Sequence, residues 1–169
     1  GRRTLLPNRY MDEDDYNNII RQRASYRITG DLRGYIPIGR HWVIAPRLQG
    51  GSLLNGPHYD NELFKIAGVD RLRGFNPNDL CASTYLLYSA EVRFLFAKRS
   101  YAHIFFDGGV YEQHTENRYL RDTPFGFGAG VNLAVRSGTF YLEYALGRQM
   151  KNPISLKRGL IHFGIKVDF

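Results

Sequence analysis

The feature that most constrains this chain is alternation. From residue 20 to its last residue, apolar and polar side chains change places with a period of two, in one segment after another. The clearest case is 83–96, where Leu86, Tyr88, Ala90, Val92, Phe94 and Phe96 share one face and Ser83, Tyr85, Ser89, Glu91 and Arg93 the other. A period of two is that of a β-strand with unlike faces; a helix would repeat at 3.6. The pattern predicts seven strands, near 20–38, 42–54, 83–96, 101–113, 125–135, 139–147 and 158–169, so the fold class is all-β and antiparallel. Connections alternate in length: 39–41, 97–100 and 136–138 are short, while 55–81, 114–123 and 150–157 are longer. Residues 1–19 carry the acidic cluster Asp12, Glu13, Asp14 and Asp15 and read as an external loop or the end of a preceding strand.

A soluble β-sandwich also alternates, so alternation leaves two architectures open. Three features favour a transmembrane barrel. The segments run to a dozen residues or more, where globular strands usually have about 5–6. Short turns at one end and long loops at the other are the habit of outer-membrane barrels. The apolar faces are rimmed by Trp42, Phe96, Phe125, Phe140 and Phe169, as an interfacial aromatic girdle would be. No run of about 18 apolar residues is present, which excludes a transmembrane helix but says nothing against a barrel. With the short turns on the periplasmic side, the C-terminus is periplasmic and loop 55–81 is external. The composition suits strands: 12 Tyr, 11 Phe and 18 Gly, with seven Pro. A single cysteine, Cys81, permits no internal disulfide. The net charge of +7 comes from scattered Arg and Lys without a dense basic run, which argues against nucleic acid as a partner.

Within the longest loop stands Leu72-Arg73-Gly74-Phe75. Taken alone it reads as a glycine turn with a solvated arginine. Two acids alter that reading. Glu91 and Asp107 lie on the polar, inward faces of the next two strands, Asp107 within Phe105-Phe106-Asp107-Gly108-Gly109. A carboxylate facing a barrel lumen needs a cation, because desolvation penalises an unpaired charge. Arginine offers a planar fork that can hold two carboxylates. The expectation is a loop folded inward, with Arg73 against Glu91 and Asp107.

These residues resemble the C-terminal barrel of the BamA/TamA and two-partner-secretion superfamily, the bacterial surface antigen family of outer-membrane proteins. The family's aliphatic-Arg-Gly-Phe/Tyr loop motif is matched by Leu72, Arg73, Gly74 and Phe75, with Leu where Val or Ile is usual. Its Phe-x-Asp-x-Gly motif is matched by Phe105, Asp107 and Gly109, and its lumenal Glu by Glu91 in Glu91-Val92-Arg93-Phe94. Its C-terminal assembly signal is matched by His162, Gly164, Val167 and Phe169. The resemblance covers roughly residues 60–169. It implies that Arg73 docks on Glu91 and Asp107 and that residues 20–169 are the C-terminal half of a sixteen-stranded barrel in the outer membrane of a Gram-negative bacterium. It implies a protein insertase or translocase, acting on client outer-membrane or secreted proteins amid outer-membrane lipid and lipopolysaccharide. Periplasmic domains or lipoproteins outside this chain would be its further partners.

The resemblance implies no enzyme, cofactor or metal. Acid–base groups at an outer rim would be the mark of an outer-membrane protease or acyltransferase. His58, Asp60 and His114 are the candidates, and they read better as polar loop residues. His103 reads as a lone wall residue facing the lumen. A passive porin, a small structural barrel and a barrel anchoring a fused enzyme domain remain the alternatives. A porin would lack the combination of Arg73, Glu91 and Asp107.

Overall fold

In a computed structural model, the described residues are 26–55, 58–115, 118–136, 138–150, 154 and 158–167. Segment 1–19, the start of the first expected strand at 20–25, and Phe169 lie outside them. The main strands are β1 (Tyr26–Arg33), β2 (Ile36–Ile38), β3 (Trp42–Leu54), β6 (Thr84–Ala97), β7 (Ser100–His114), β9 (Phe125–Val135), β10 (Gly138–Arg148) and β11 (Leu160–Lys166). Two pairs are smaller additions. Strands β4 (Phe64–Lys65) and β5 (Cys81–Ala82) form a hairpin of their own, and β8 (Tyr119–Asp122) pairs with the end of β7. The principal sheet is an antiparallel meander in the order β1-β3-β6-β7-β9-β10-β11, each strand beside its neighbour in sequence. All seven segments expected from alternation are present as strands of this path. This is the antiparallel β-architecture of a transmembrane barrel, with β1 and β11 as the two edges among the described residues.

The first expected strand is interrupted between Arg33 and Ile36, and Pro46 is the reason. Arg33 pairs with Arg47 and Ile36 with Ile44, so the register runs through the gap unchanged. Gly34 faces Pro46 and donates its N–H to the Pro46 carbonyl at 2.9 Å, but proline has no N–H to return. Half the ladder is lost there, and the strand divides into β1 and β2.

The burial pattern is that of a membrane wall. Ile28, Leu32, Trp42, Leu86, Phe94, Ile104, Phe106, Leu142 and Phe163 are exposed, whereas Arg73, His103, Asp107, Asn132 and Glu143 are buried. A water-soluble sheet would do the reverse. Strand length agrees: β6 has 14 residues and β7 15. At ~3.3 Å per residue and a tilt of about 45°, that spans the ~30 Å hydrocarbon core. No helix among the described residues is long and apolar enough to cross a membrane.

The connection 55–81 is more structured than its Gly, Pro, Asn and Asp content suggests. It contains a short 3-10 turn at Asp60–Glu62 and the β4–β5 hairpin. Its apolar residues Leu63, Phe64, Ile66, Leu72, Phe75 and Leu80 join Leu53, Tyr85, Leu87 and Tyr111 of the sheet in one buried cluster. Ile66, Leu72 and Leu80 are completely buried, and each such side chain is worth about 1.5–3 kcal/mol of burial. The loop is therefore held on the inner face of the sheet by a core of its own. The connection 114–123 is also shorter than the alternation implied, because β8 extends the hairpin ladder from Tyr111↔Asp122 to His114↔Tyr119.

Candidate functional site

The inner face of β6, β7, β9 and β10 carries three adjacent cross-strand rows that receive the loop tip. The first is Ser89↔Asp107↔Gly126↔Gly147, the second Glu91↔Phe105↔Gly128↔Ala145 and the third Arg93↔His103↔Gly130↔Glu143. Polar and aromatic side chains stand on β6 and β7, and bare glycines on β9. The result is a wall with groups on one side and a flat strip on the other.

Arg73 fills the space between them. Its Nε donates to Asp107 Oδ2 at 2.6 Å and its Nη2 to Asp107 Oδ1 at 2.7 Å, the two-point arrangement that suits a carboxylate. Nη1 donates to Glu91 Oε1 at 2.6 Å, and Nη2 also reaches Ser89 Oγ at 3.1 Å. The backbone N–H of Arg73 makes a further bond to Asp107 Oδ2 at 3.2 Å. Ser89 Oγ donates to Asp107 Oδ1 at 2.6 Å, so Asp107 is held from both strands. The guanidinium lies 3.5 Å from the centre of the Phe105 ring, a cation–π contact on its flat face. Arg73 is 5% and Asp107 1% exposed. Burial works against the arginine charge, but Asp107, then Glu91 and Glu143, outweigh it and hold the guanidinium pKa above its ordinary range. The three resemblance-derived partners, Arg73, Glu91 and Asp107, thus come together as one cluster.

The other motif residues have distinct places. Leu72 is in the loop core. Gly74 has φ +89°, and a Cβ there would lie 2.6 Å from the Leu146 carbonyl carbon and 2.7 Å from the Gly147 nitrogen. Only glycine satisfies both the left-handed backbone and the close approach. Phe75 is buried, with its ring against Gly147. Phe105 lies under the guanidinium, and Gly109 allows β7 to press on Leu87 of β6. His162 and Gly164 sit apart from the cluster on the edge strand β11, opposite Glu143 and Tyr141, with the Tyr141 ring over Gly164. Val167 is exposed beyond that strand, and Phe169 lies outside the described residues.

Several residues of the cluster escaped the sequence reading. Glu143 approaches Arg73 Nη1 at 3.8 Å and His103 Nε2 at 3.2 Å, so His103 is no lone wall residue. Asn132 Nδ2 lies 3.5 Å from His103 Nδ1. Arg93 closes the far side of Glu91 through two bonds, Nε at 2.8 Å and Nη2 at 2.6 Å to Oε2. The glycines matter as much. A Cβ on Gly126 would run into the Arg73 carbonyl oxygen, and one on Gly147 into the Gly74 carbonyl oxygen. A Cβ on Gly130 would lie 2.7 Å from Glu143 Cγ and 2.8 Å from His103 Cε1. The Gly126-Gly128-Gly130 alternation was visible in the sequence as an unusually bare inward face, and that was the available signal.

Of the residues weighed for rim chemistry, His58 is buried, donates its backbone N–H to the His114 carbonyl at 3.3 Å and has its Nε2 3.3 Å from the Leu53 carbonyl, Asp60 opens the 3-10 turn, and the His114 ring packs edge-on against Tyr119. Among the described residues no three His, Cys, Asp or Glu side chains are grouped to hold a metal. What the cluster can do is electrostatic and steric: it fastens a long loop across four strands.

A family model described as the Omp85 superfamily domain matches residues 17–169. Comparisons with curated proteins and with solved structures find no match.

Proposed function

The chain belongs to the Omp85 superfamily, outer-membrane β-barrels that insert or secrete proteins, and on that premise we propose that it acts as a protein insertase or translocase without covalent chemistry. The observation that carries the proposal is the fastening of Arg73 to Asp107 and Glu91, which lays the loop across the inner face of β6 to β10. A loop so held fills the lumen side of the wall and keeps the four strands in register. The site of action is the seam at which β11, the strand containing Gly164, would meet the first strand of the full barrel; opening there leaves β11 as an edge. An edge strand offers unpaired N–H and C=O groups as a template, and an incoming client strand is the natural partner. The short turns and the C-terminus face the periplasm in this reading, and the long loops face outside.

The test is Arg73→Ala in the full-length protein, read in two assays. The first is the heat-resistant fold, seen as the temperature at which the compact gel form is lost. The second is assembly or secretion of the client. Loss in both is the expected result; an unchanged mutant in both assays removes the proposed role. Steady high single-channel conductance of the unmodified protein in a planar bilayer would favour a porin instead.

A further inference from the structure

The outer face of the sheet carries a groove that the loop cluster does not explain. Its floor and walls follow two cross-strand rows. One row is Trp42↔Phe94↔Ala102↔Val131↔Leu142 and the next is Val92↔Ile104↔Ala129↔Tyr144. Each row has a single alanine between larger side chains, so Ala102 and Ala129 form the bottom of a trough of about 590 Å³. Its walls are exposed, Trp42 by 47% and Leu142 by 42%.

The trough lies at the short-turn end. Members of the first row stand within five residues of a turn, roughly 17 Å at ~3.3 Å per residue. Every one of the three turns there is basic: Gly39-Arg40-His41, Lys98-Arg99 and Arg136-Ser137-Gly138 contain no acid. Arg40, Lys98 and Arg136 are exposed. An apolar trough close to three cationic turns matches one kind of occupant. Its tail must be aliphatic and its head negative. The aromatic flank Trp42–Phe94, with ring centroids 5.0 Å apart, marks the level where the two meet.

We propose that this groove is a specific site for an anionic diacyl phospholipid of the leaflet on the short-turn side, an acyl chain lying over Ala102 and Ala129 and the negative headgroup under the row of basic turns that carry Arg40, Lys98 and Arg136. The inference rests on the reading of the chain as a membrane barrel. A site of this kind fixes the wall of β3 to β10 in the bilayer and makes its setting depend on lipid charge.

Trp42, the single tryptophan of the sequence, lines the groove and reports on it. The full-length protein is placed in phosphatidylcholine vesicles with a small, equal fraction of bromine-labelled phosphatidylglycerol or bromine-labelled phosphatidylcholine. Subtracting the signal of Trp42→Phe isolates the quenching at Trp42. Brominated phosphatidylglycerol should quench at several-fold lower mole fraction. Each basic residue near a charged surface contributes roughly fivefold in affinity, so Arg40→Gln with Lys98→Gln and Arg136→Gln should abolish the difference. Ala129→Leu, which fills the trough and leaves the turns intact, should abolish it too. Equal quenching by the two lipids overturns the proposal, as does a difference that survives either set of changes. Quenching by neither lipid would instead overturn the membrane setting itself.

Discussion

Two ion clusters in this molecule use the same chemistry in different surroundings. On β1 and β3, Arg47 grips Asp31 at 2.6 and 3.0 Å, and Arg33 joins at 2.9 Å. On β6 and β7, Arg73 grips Asp107 with nearly the same distances, 2.6 and 2.7 Å. The Asp31 side chain is 34% exposed, and that of Asp107 only 1%. In the first case water competes for every charge, so the pairs are worth little. In the second, either partner left alone would be an uncompensated charge buried under the loop. Bond length does not separate the two; solvent does. Placement follows the same division: Asp31 and Arg47 belong to adjacent strands that would pair without them, whereas Arg73 is the tie between a loop and four strands.

The comparison can be broken by removing one partner at a time and following the midpoint of thermal or urea unfolding. Arg73→Ala has the largest expected effect, a loss of about 3–5 kcal/mol, because Asp107 and Glu91 are left buried without their cation. Arg73→Lys should recover only part of it, since an ammonium cannot bind Asp107 at two points. Next comes Gly126→Val, which leaves every charge in place and pushes the Arg73 backbone off its seat. Overpacking of this kind costs about 1–3 kcal/mol, and the loop should become cleavable by added protease while the strands remain folded. Ser89→Ala removes one hydrogen bond to Asp107 and one from Arg73, and about 0.5–1.5 kcal/mol is expected. Asp31→Asn, at the exposed cluster, should change stability by no more than about 1 kcal/mol, and less at high salt. An Asp31 effect as large as that of Arg73 would show that solvent exposure is not what separates the clusters.

The His103–Glu143–Asn132 group occupies an intermediate position. It is buried like the Arg73 cluster, yet its contacts are looser, at 3.2 and 3.5 Å. Glu143 is a third acid beside Arg73, 3.8 Å from its Nη1, and His103 stands next to it. The group joins the comparison as the place where polar contacts are least complete, with Glu143 Oε2 buried and without a hydrogen bond among the described residues.

How much of this was legible in the sequence depends on the range of the interaction. Alternation is local, and residues two apart share a face whatever their partners are. It placed all seven strands of the meander and assigned Glu91, Asp107 and His103 to the inner face. The motif Leu72-Arg73-Gly74-Phe75, with two inward acids downstream, was enough to anticipate the ion cluster. The division of the first strand at Pro46 was missed, because proline in β3 interrupts the ladder of a different strand.

Register, by contrast, belongs to the assembled sheet. That Gly126 meets Gly147, that Gly130 lies between His103 and Glu143, and that Ala102 and Ala129 share a trough are facts of alignment between strands. A shift of one residue would turn each of these side chains to the opposite face. The loop core is of the same kind: Ile66, Leu72 and Leu80 come together with Tyr85 and Tyr111 across tens of residues. The sequence by itself determined that this chain makes long two-faced strands and carries one arginine-glycine loop and the acids to receive it. Only the tertiary structure decided which glycines make its seat, which further charges join it, and where the outer wall is hollow. Period-two patterning is written in neighbouring residues, whereas close approach between distant strands is fixed only when the sheet aligns and excludes water.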